Sequence, residues 1–361
     1  MAFEATKREW GELYAFFRLL ADGYVYAGTP EAKRNESLRY PVAMVQREEH
    51  DGTRRYIIED EEIHICGENM DKRIPREDFD AVAHLVLEAV KNSRENDVTS
   101  PEGVEEFLDE VAIYDLESKT DDRTDFHVAF YHVDTPLVGF CVRSKMSPMF
   151  PLLDGGRSAN FKFEQTGVKF ASPTVSKINA FGEEDDVLGR MLMIERLGGV
   201  LKFNDAADKI FRSNLGLIDL HFPRVLGEMA RAMHLEGITK VSELTEYIKV
   251  LNPLKIKDEM ITKHRFYEYK MKQFLMALAL GMRPAKLFNG TDSAVAGMLM
   301  VDGQGEMICY QKADRDTFAD FLYHNTRFEK GSTNKDKYGY LERENGVYYF
   351  KLNVKIGLLK R

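Results

Sequence analysis

A chain of 361 residues with 44% apolar side chains, 30% charged side chains and only 11 prolines can build a large core, and its composition is neither disordered nor fibrous. No run approaches the roughly 18 uncharged apolar residues of a membrane helix, and the first ten residues mix acids and bases instead of forming an apolar export signal. Cys66, Cys141 and Cys309 lie too far apart for a disulfide framework or a zinc spacing, so a cytoplasmic protein is expected. The net charge of −9 weighs against a nucleic-acid binder. The bases are uneven, however: residues 321–361 hold nine bases against four acids, a stretch that could face phosphate or form an ordinary solvated basic end.

The spacing of Trp10, Leu13, Tyr14, Phe17 and Leu20 predicts an amphipathic helix over 7–20. Residues 24–26 and 40–47 read as short strands around a polar loop, and 54–66 alternates like another strand. A second helix is expected over 76–92, with Phe79, Val82, Leu85 and Val86 on one face. A short helix over 101–111 gives way to the strand-like runs 125–133 and 136–143, joined near Asp134 into a hairpin. An extended run at 160–164 and a helix over 173–179 follow. The stretch 187–280 is mostly helical, with candidates at 205–215, 222–234, 241–251 and 258–280. Strands return at 294–302, 306–312 and 347–355, and Asn345-Gly346 supplies a hairpin turn. There is no internal repeat and no low-complexity linker. The expected organisation is α+β: a mixed region over 1–100, a β-rich centre over 101–185, a helical region over 186–290 and a basic, β-rich region over 291–361.

The run Thr124-Asp125-Phe126-His127-Val128-Ala129-Phe130, followed by Gly139-Phe140-Cys141-Val142-Arg143-Ser144-Lys145, pairs an acid with a later basic strand. In the PD-(D/E)XK nuclease fold, one acid opens a strand, and an acid and a lysine two residues apart lie on its neighbour. Side chains alternate along a strand, so residues two apart share a face, and with it a metal ion and a phosphate. Carboxylates hold Mg²⁺, which polarises the phosphodiester and activates water, while a lysine stabilises developing charge. Here Asp125 takes the first place, Cys141 stands where the second acid is expected, and Arg143 stands where the lysine is expected. A thiol is a poor ligand for a hard cation. The missing carboxylate must come from elsewhere, and Glu164, closing Asn160-Phe161-Lys162-Phe163-Glu164, is the candidate. Arg143 stabilises charge but keeps its proton, and Lys145, on the same strand face, is the alternative for the lysine role. The plainer reading makes Asp125 a strand-entry residue, Arg143 and Lys145 an exposed edge, and Glu164 a surface acid. His127 and His132 read as structural histidines, since no acid or base partner accompanies them.

Four pieces in this order resemble the HpaII family of type II restriction endonucleases, across most of the chain: 7–23 (KREWGELYAFFRLLADG), 117–145 (ESKTDDRTDFHVAFYHVDTPLVGFCVRSK), 157–164 (RSANFKFE) and 327–357 (RFEKGSTNKDKYGYLERENGVYYFKLNVKIG). The resemblance implies a PD-(D/E)XK-like nuclease core at 101–185, with a central mixed sheet flanked by helices, a helical block and a C-terminal β-rich segment. It implies Mg²⁺-dependent hydrolysis of double-stranded DNA at a short palindrome, CCGG being the family's named target. In the family pattern an Asp-initiated strand is followed by Gly-Phe-Ser-Ile-Lys-Ser and then by a segment ending Asn-Phe-x-x-Glu. Asp125 matches the metal-binding acid, Gly139-Phe140 the strand opening, and Asn160, Phe161 and Glu164 the later segment. The resemblance therefore makes Asp125 and Glu164 the metal ligands, and Asp125, Arg143, Lys145 and Glu164 the catalytic set. Cys141 and Arg143 depart from the pattern, which leaves open a catalytically inactive or regulatory DNA-binding protein of the same fold.

A palindromic target implies a homodimer, because two equivalent sites are the simplest way to cut both strands. A restriction enzyme also implies a companion DNA methyltransferase. Arg327, Lys330, Ser332, Lys335 and Lys337 carry donors suited to base edges or phosphates, with a plain polar loop as the alternative reading. A non-catalytic binding module would bind DNA despite chelation. A metal-independent enzyme or an interaction scaffold would show little salt-dependent DNA affinity.

Overall fold

The computed structural model describes residues 3–68, 70–118, 124–147, 151–290 and 294–359. Thr6 starts the first helix, α1 (Lys7–Asp22), through a capping box. Its hydroxyl accepts from the Glu9 amide while the Glu9 carboxylate accepts from the Thr6 amide at 2.7 Å. Gly23, at φ 70°, ends the helix and returns its N–H to the Leu19 carbonyl. Trp10, Leu13, Phe16, Phe17 and Leu20 are fully buried, as their spacing requires.

Among the described residues, nine strands form one sheet. Their order is Tyr24–Gly28, Met307–Gln311, Val295–Val301, Val138–Ser144, Phe126–Phe130, Arg34–Glu49, Gly52–Ile58, Glu62–Gly67 and Met70–Pro75. The long strand Arg34–Glu49 pairs with Tyr24–Gly28 through its first half, and with Phe126–Phe130 and Gly52–Ile58 through its second. The first six strands thereby close into a barrel, a feature that the expected central mixed sheet did not include. The hairpin read at 125–143 is present, with Phe126 opposite Phe140 in antiparallel register. Val295–Val301 lies parallel to its second strand, with Met298 opposite Cys141.

Phe126, Val128, Phe140 and Val142 turn into a core shared with α1 and α2 (Arg76–Asn92). Met298, Met300 and Tyr310 turn into a second core, built from the helices of 222–279 and a four-stranded sheet in the order Gly199–Ala206, Asn160–Gly167, Val347–Asn353, Leu341–Glu344. The sheet on which α1 lies thus separates two apolar layers.

Gly11 sets how closely α1 lies on the sheet. A Cβ built there falls 2.6 Å from the Ser144 Cβ, so only glycine permits this approach. Gly11→Ala is expected to lift the helix from the strand and to cost about 1–3 kcal/mol. A thermal melt checks this, and an unchanged midpoint would show that the contact yields at no cost.

Several local expectations change. Residues 54–66 are two strands, Gly52–Ile58 and Glu62–Gly67, turned at Glu59-Asp60-Glu61 where the Glu59 amide bonds the Glu62 carbonyl at 3.0 Å. The helix expected at 205–215 is preceded by the strand Gly199–Ala206 and starts at Lys209, where the Asp208 carboxylate caps the amides of Ile210 and Phe211. The stretch 258–280 is broken at Arg265, which adopts φ 49°. Strands from 24–75, 126–144 and 295–311 share one sheet, so three of the four stretches read in the sequence contribute to one structural layer. No helix among the described residues is long and apolar enough to cross a membrane.

Candidate active site

A cleft of about 1020 Å³ opens between the start of α1, the Asp125 end of the hairpin and the loops at Asp154-Gly155 and 283–286. Asp125 sits one residue before the strand Phe126–Phe130. Its amide donates to the Phe140 carbonyl at 2.8 Å, and its carboxylate accepts the Val142 N–H at 2.5 Å. The hairpin register therefore fixes both the backbone and the side chain of this acid. Cys141 and Arg143 line the same cleft on either side of Val142. The Arg143 guanidinium donates through Nη1 to the Val142 carbonyl at 2.8 Å. Its Nε is buried and has no acceptor among the described residues, which leaves a donor for an anionic ligand.

A further carboxylate comes from α1. Glu12 is nearly fully buried, lines the cleft and accepts from the Arg8 Nε at 2.9 Å. Burial, and then the charge of Asp125, push Glu12 up to about 8 against the opposing pull of Arg8. Burial also raises Asp125, although Arg143 and the Val142 amide favour its ionised form. Two buried carboxylates in one cleft, one of them raised by the charge of the other, are the arrangement a divalent cation relieves. Glu117 adds a third acid at the cleft, 3.7 Å from Arg8.

Among the described residues no group of three or more His, Cys, Asp or Glu side chains forms a metal cluster. Mg²⁺ commonly takes only one or two carboxylates and completes its shell with water and substrate phosphate, so the hard oxygen pair Asp125 and Glu12 fits it. Cys141 does not: a thiol is a soft ligand poorly matched to a hard cation, and burial pushes this one up to about 11.

The structure does not bring Glu164 or Lys145 to the cleft. Glu164 lies in the four-stranded sheet, opposite Lys202 and Tyr349, because its strand pairs with Gly199–Ala206 and Val347–Asn353 instead of with the hairpin. The second buried carboxylate that lines the cleft is Glu12 of α1. Lys145 is past the end of its strand, its amide bound to the Val301 carbonyl at 2.8 Å, and it does not line the cleft.

The basic C-terminal residues form a neighbouring surface. Arg327 pairs with Glu329 at 3.0 Å, Ser332 caps the short helix Thr333–Asp336, and Lys330, Lys335 and Lys337 are exposed. None of these lines the cleft. The segment is tied to the loop beside it by Asn160, whose side chain donates to the carbonyls of Asp336 (2.8 Å) and Lys337 (3.2 Å), and by Asn353, which donates to the Gly156 carbonyl at 2.8 Å. Arg8, Glu12, Glu117, Arg283 and Lys286 were not singled out in the sequence. The Arg8 and Glu12 pair, four apart on an amphipathic helix, carries only the signal of a solvated ion pair.

A family model described as HpaII restriction endonuclease matches residues 6–358. The chain is 30% identical over 362 residues to the type II restriction enzyme HpaII of Haemophilus parainfluenzae, an alignment that covers 99% of each protein. No solved structure matches it. With the match running from the cap of α1 to the last strand, and so through Glu12, Asp125, Cys141 and Arg143, the chain belongs to the HpaII restriction endonuclease family and is a type II restriction endonuclease.

Proposed function

We propose that the protein hydrolyses phosphodiester bonds of double-stranded DNA at a short palindromic site, CCGG being the first to test, with Mg²⁺ held by Asp125 and Glu12. The observation that carries this reading is the convergence of Asp125, Glu12 and Arg143 in one cleft of a chain whose family cuts DNA. When bound, the cation supplies Lewis-acid polarisation of the phosphodiester and a more acidic water. Asp125, locked by the Val142 amide, presents its carboxylate without reorganisation. Glu12, released from Arg8, completes the anionic pair. Arg143 stabilises charge on the phosphate in the place of a lysine, and because a guanidinium keeps its proton, it is not the base. Arg143 is preferred to Lys145 because it lines the cleft.

The chain order α1, Arg34–Glu49, Phe126–Phe130, Val138–Ser144, helical crossover, parallel Val295–Val301 supports a PD-(D/E)XK-like core within the closed sheet. Arg327, Lys330, Ser332, Lys335 and Lys337 contact the duplex beside the cleft. A homodimer, a cytoplasmic setting and a companion DNA methyltransferase belong to the same reading.

Digestion of unmethylated plasmid tests it. Discrete fragments are expected with Mg²⁺ and none with EDTA. Fragments that persist in EDTA would remove the metal from the mechanism, and DNA that is bound but intact with every divalent cation would favour a binding protein of the same fold.

A further inference from the structure

We infer that the turn of residues 282–288 is a clamp for a backbone phosphate of the DNA, with Arg283 and Lys286 as its contacting cations and Asn214 as the residue that positions them. The inference rests on the nuclease reading above and adds a binding element to the same cleft.

Asn214, on the helix Lys209–Gly216, is almost completely buried, and its side chain is committed to this turn. The Nδ2 group donates to the carbonyls of Arg283 (2.9 Å) and Lys286 (2.8 Å), while Oδ1 accepts from the Phe288 amide at 3.1 Å. One buried amide thus satisfies three backbone groups that the turn leaves over, and so fixes the turn at both ends. Arg283 and Lys286 form an antiparallel bridge, a pairing that sets two side chains on the same side of a turn.

A second contact fixes the turn relative to the cleft. A Cβ built on Gly155 would fall 2.5 Å from Pro284 Cγ, so the turn rests directly on the loop that carries Asp154 and Gly155. Arg283, Pro284, Ala285 and Lys286 consequently line the cleft that contains Asp125. The Arg283 charge is close enough to Cys141 to oppose the upward shift of its thiol. Lys286 is exposed at the rim.

Arg283 Nη1 donates to the carbonyls of Met282 (3.0 Å) and Leu278 (3.4 Å), which holds the guanidinium against the turn, and the Lys286 ammonium three residues on adds a point charge, so the pair presents fixed positive charge to the oxygens of a phosphodiester. A turn ordered before the ligand arrives binds without the loss of freedom that a mobile loop would incur. It faces a site whose other charged groups are mainly acids, so cations here offset the repulsion between the Glu12, Asp125 and Glu117 carboxylates and an incoming DNA strand.

The test is equilibrium binding of a mixed-sequence DNA duplex to the full chain in EDTA, over a series of salt concentrations. Lys286→Gln, a change at an exposed side chain, is expected to lower the slope of log affinity against log salt by about 1, the loss of one phosphate contact. Asn214→Ala is expected to weaken binding, and Lys286→Gln added to it is expected to cost less than it does alone, because the cation is no longer held in place. A wild-type slope for Lys286→Gln overturns the clamp. Strictly additive losses overturn the positioning role of Asn214. An unaltered protein that shows no salt-dependent DNA binding overturns the clamp, and plasmid cleavage by the same protein with Mg²⁺ then leaves the nuclease reading standing, whereas loss of both removes the two together; normal binding and cleavage by Lys286→Gln overturns the clamp alone.

Discussion

Asp125→Asn is expected to lower Mg²⁺-dependent cleavage by at least about 10³-fold, roughly 4 kcal/mol of transition-state stabilisation. The amide oxygen of asparagine can still accept the Val142 N–H that holds residue 125, so the hairpin keeps its register and only the charge is lost. Stability moves the other way. Burial raises the Asp125 carboxyl above its unfolded value, which means that its favourable contribution belongs to low pH and is lost as pH rises through the folded value. A neutral amide avoids the cost of burying a charge at this position, so the asparagine variant should melt in EDTA at the wild-type temperature or above. Cleavage at the wild-type rate by this variant would take Asp125 out of the reaction.

The second large effect separates two carboxylates. Glu12→Gln should lose cleavage by about 10²-fold or more, and should also lose the rise in melting temperature that Mg²⁺ gives the unaltered protein, because a cation that binds only the folded state stabilises it by mass action. Glu164→Gln, in a different sheet, should leave both quantities within about twofold of wild type, as ordinary surface changes do. The opposite result, an inert Glu164 variant beside an active Glu12 variant, would return the displaced acid to the later strand and contradict the placement of α1 over the cleft.

The difference between these two glutamates shows where the sequence is legible. The hairpin could be read because alternation along 125–130 and 138–144 and the turn near Asp134 are local signals, and Asp125 and Arg143 come together through them. The Asn345-Gly346 turn was equally local, and both residues adopt positive φ, 50° and 85°. Glu164 was correctly read as part of a strand, but the sheet a strand joins is decided by its partners, and those begin at Gly199 and Val347. Glu12 has the opposite problem, since its own element was plain and its role depends on a helix crossing over Asp125. Arg283 and Lys286 lie in a turn whose shape is set by a side chain about seventy residues earlier, and nothing in their local pattern announces it. The turn at Glu59-Asp60-Glu61 was missed for a simpler reason: with neither glycine nor proline, a single aspartate among glutamates is a weak mark of a reversal.

The parallel pairing of Val138–Ser144 with Val295–Val301 also sets when, during synthesis, the sheet beneath the cleft can close. During synthesis the Asp125 hairpin leaves the ribosome about 150 residues before the strand that flanks it, and Arg283 and Lys286 emerge only just ahead of that strand. Contacts this distant in sequence form late and slowly. The hairpin that carries the acid therefore spends much of translation without its neighbour, and a ribosome-bound fragment that ends before residue 295 carries the cleft residues on an unpaired sheet edge. The sheet closes only in chains whose synthesis has passed Gln311, a delay written into strand order.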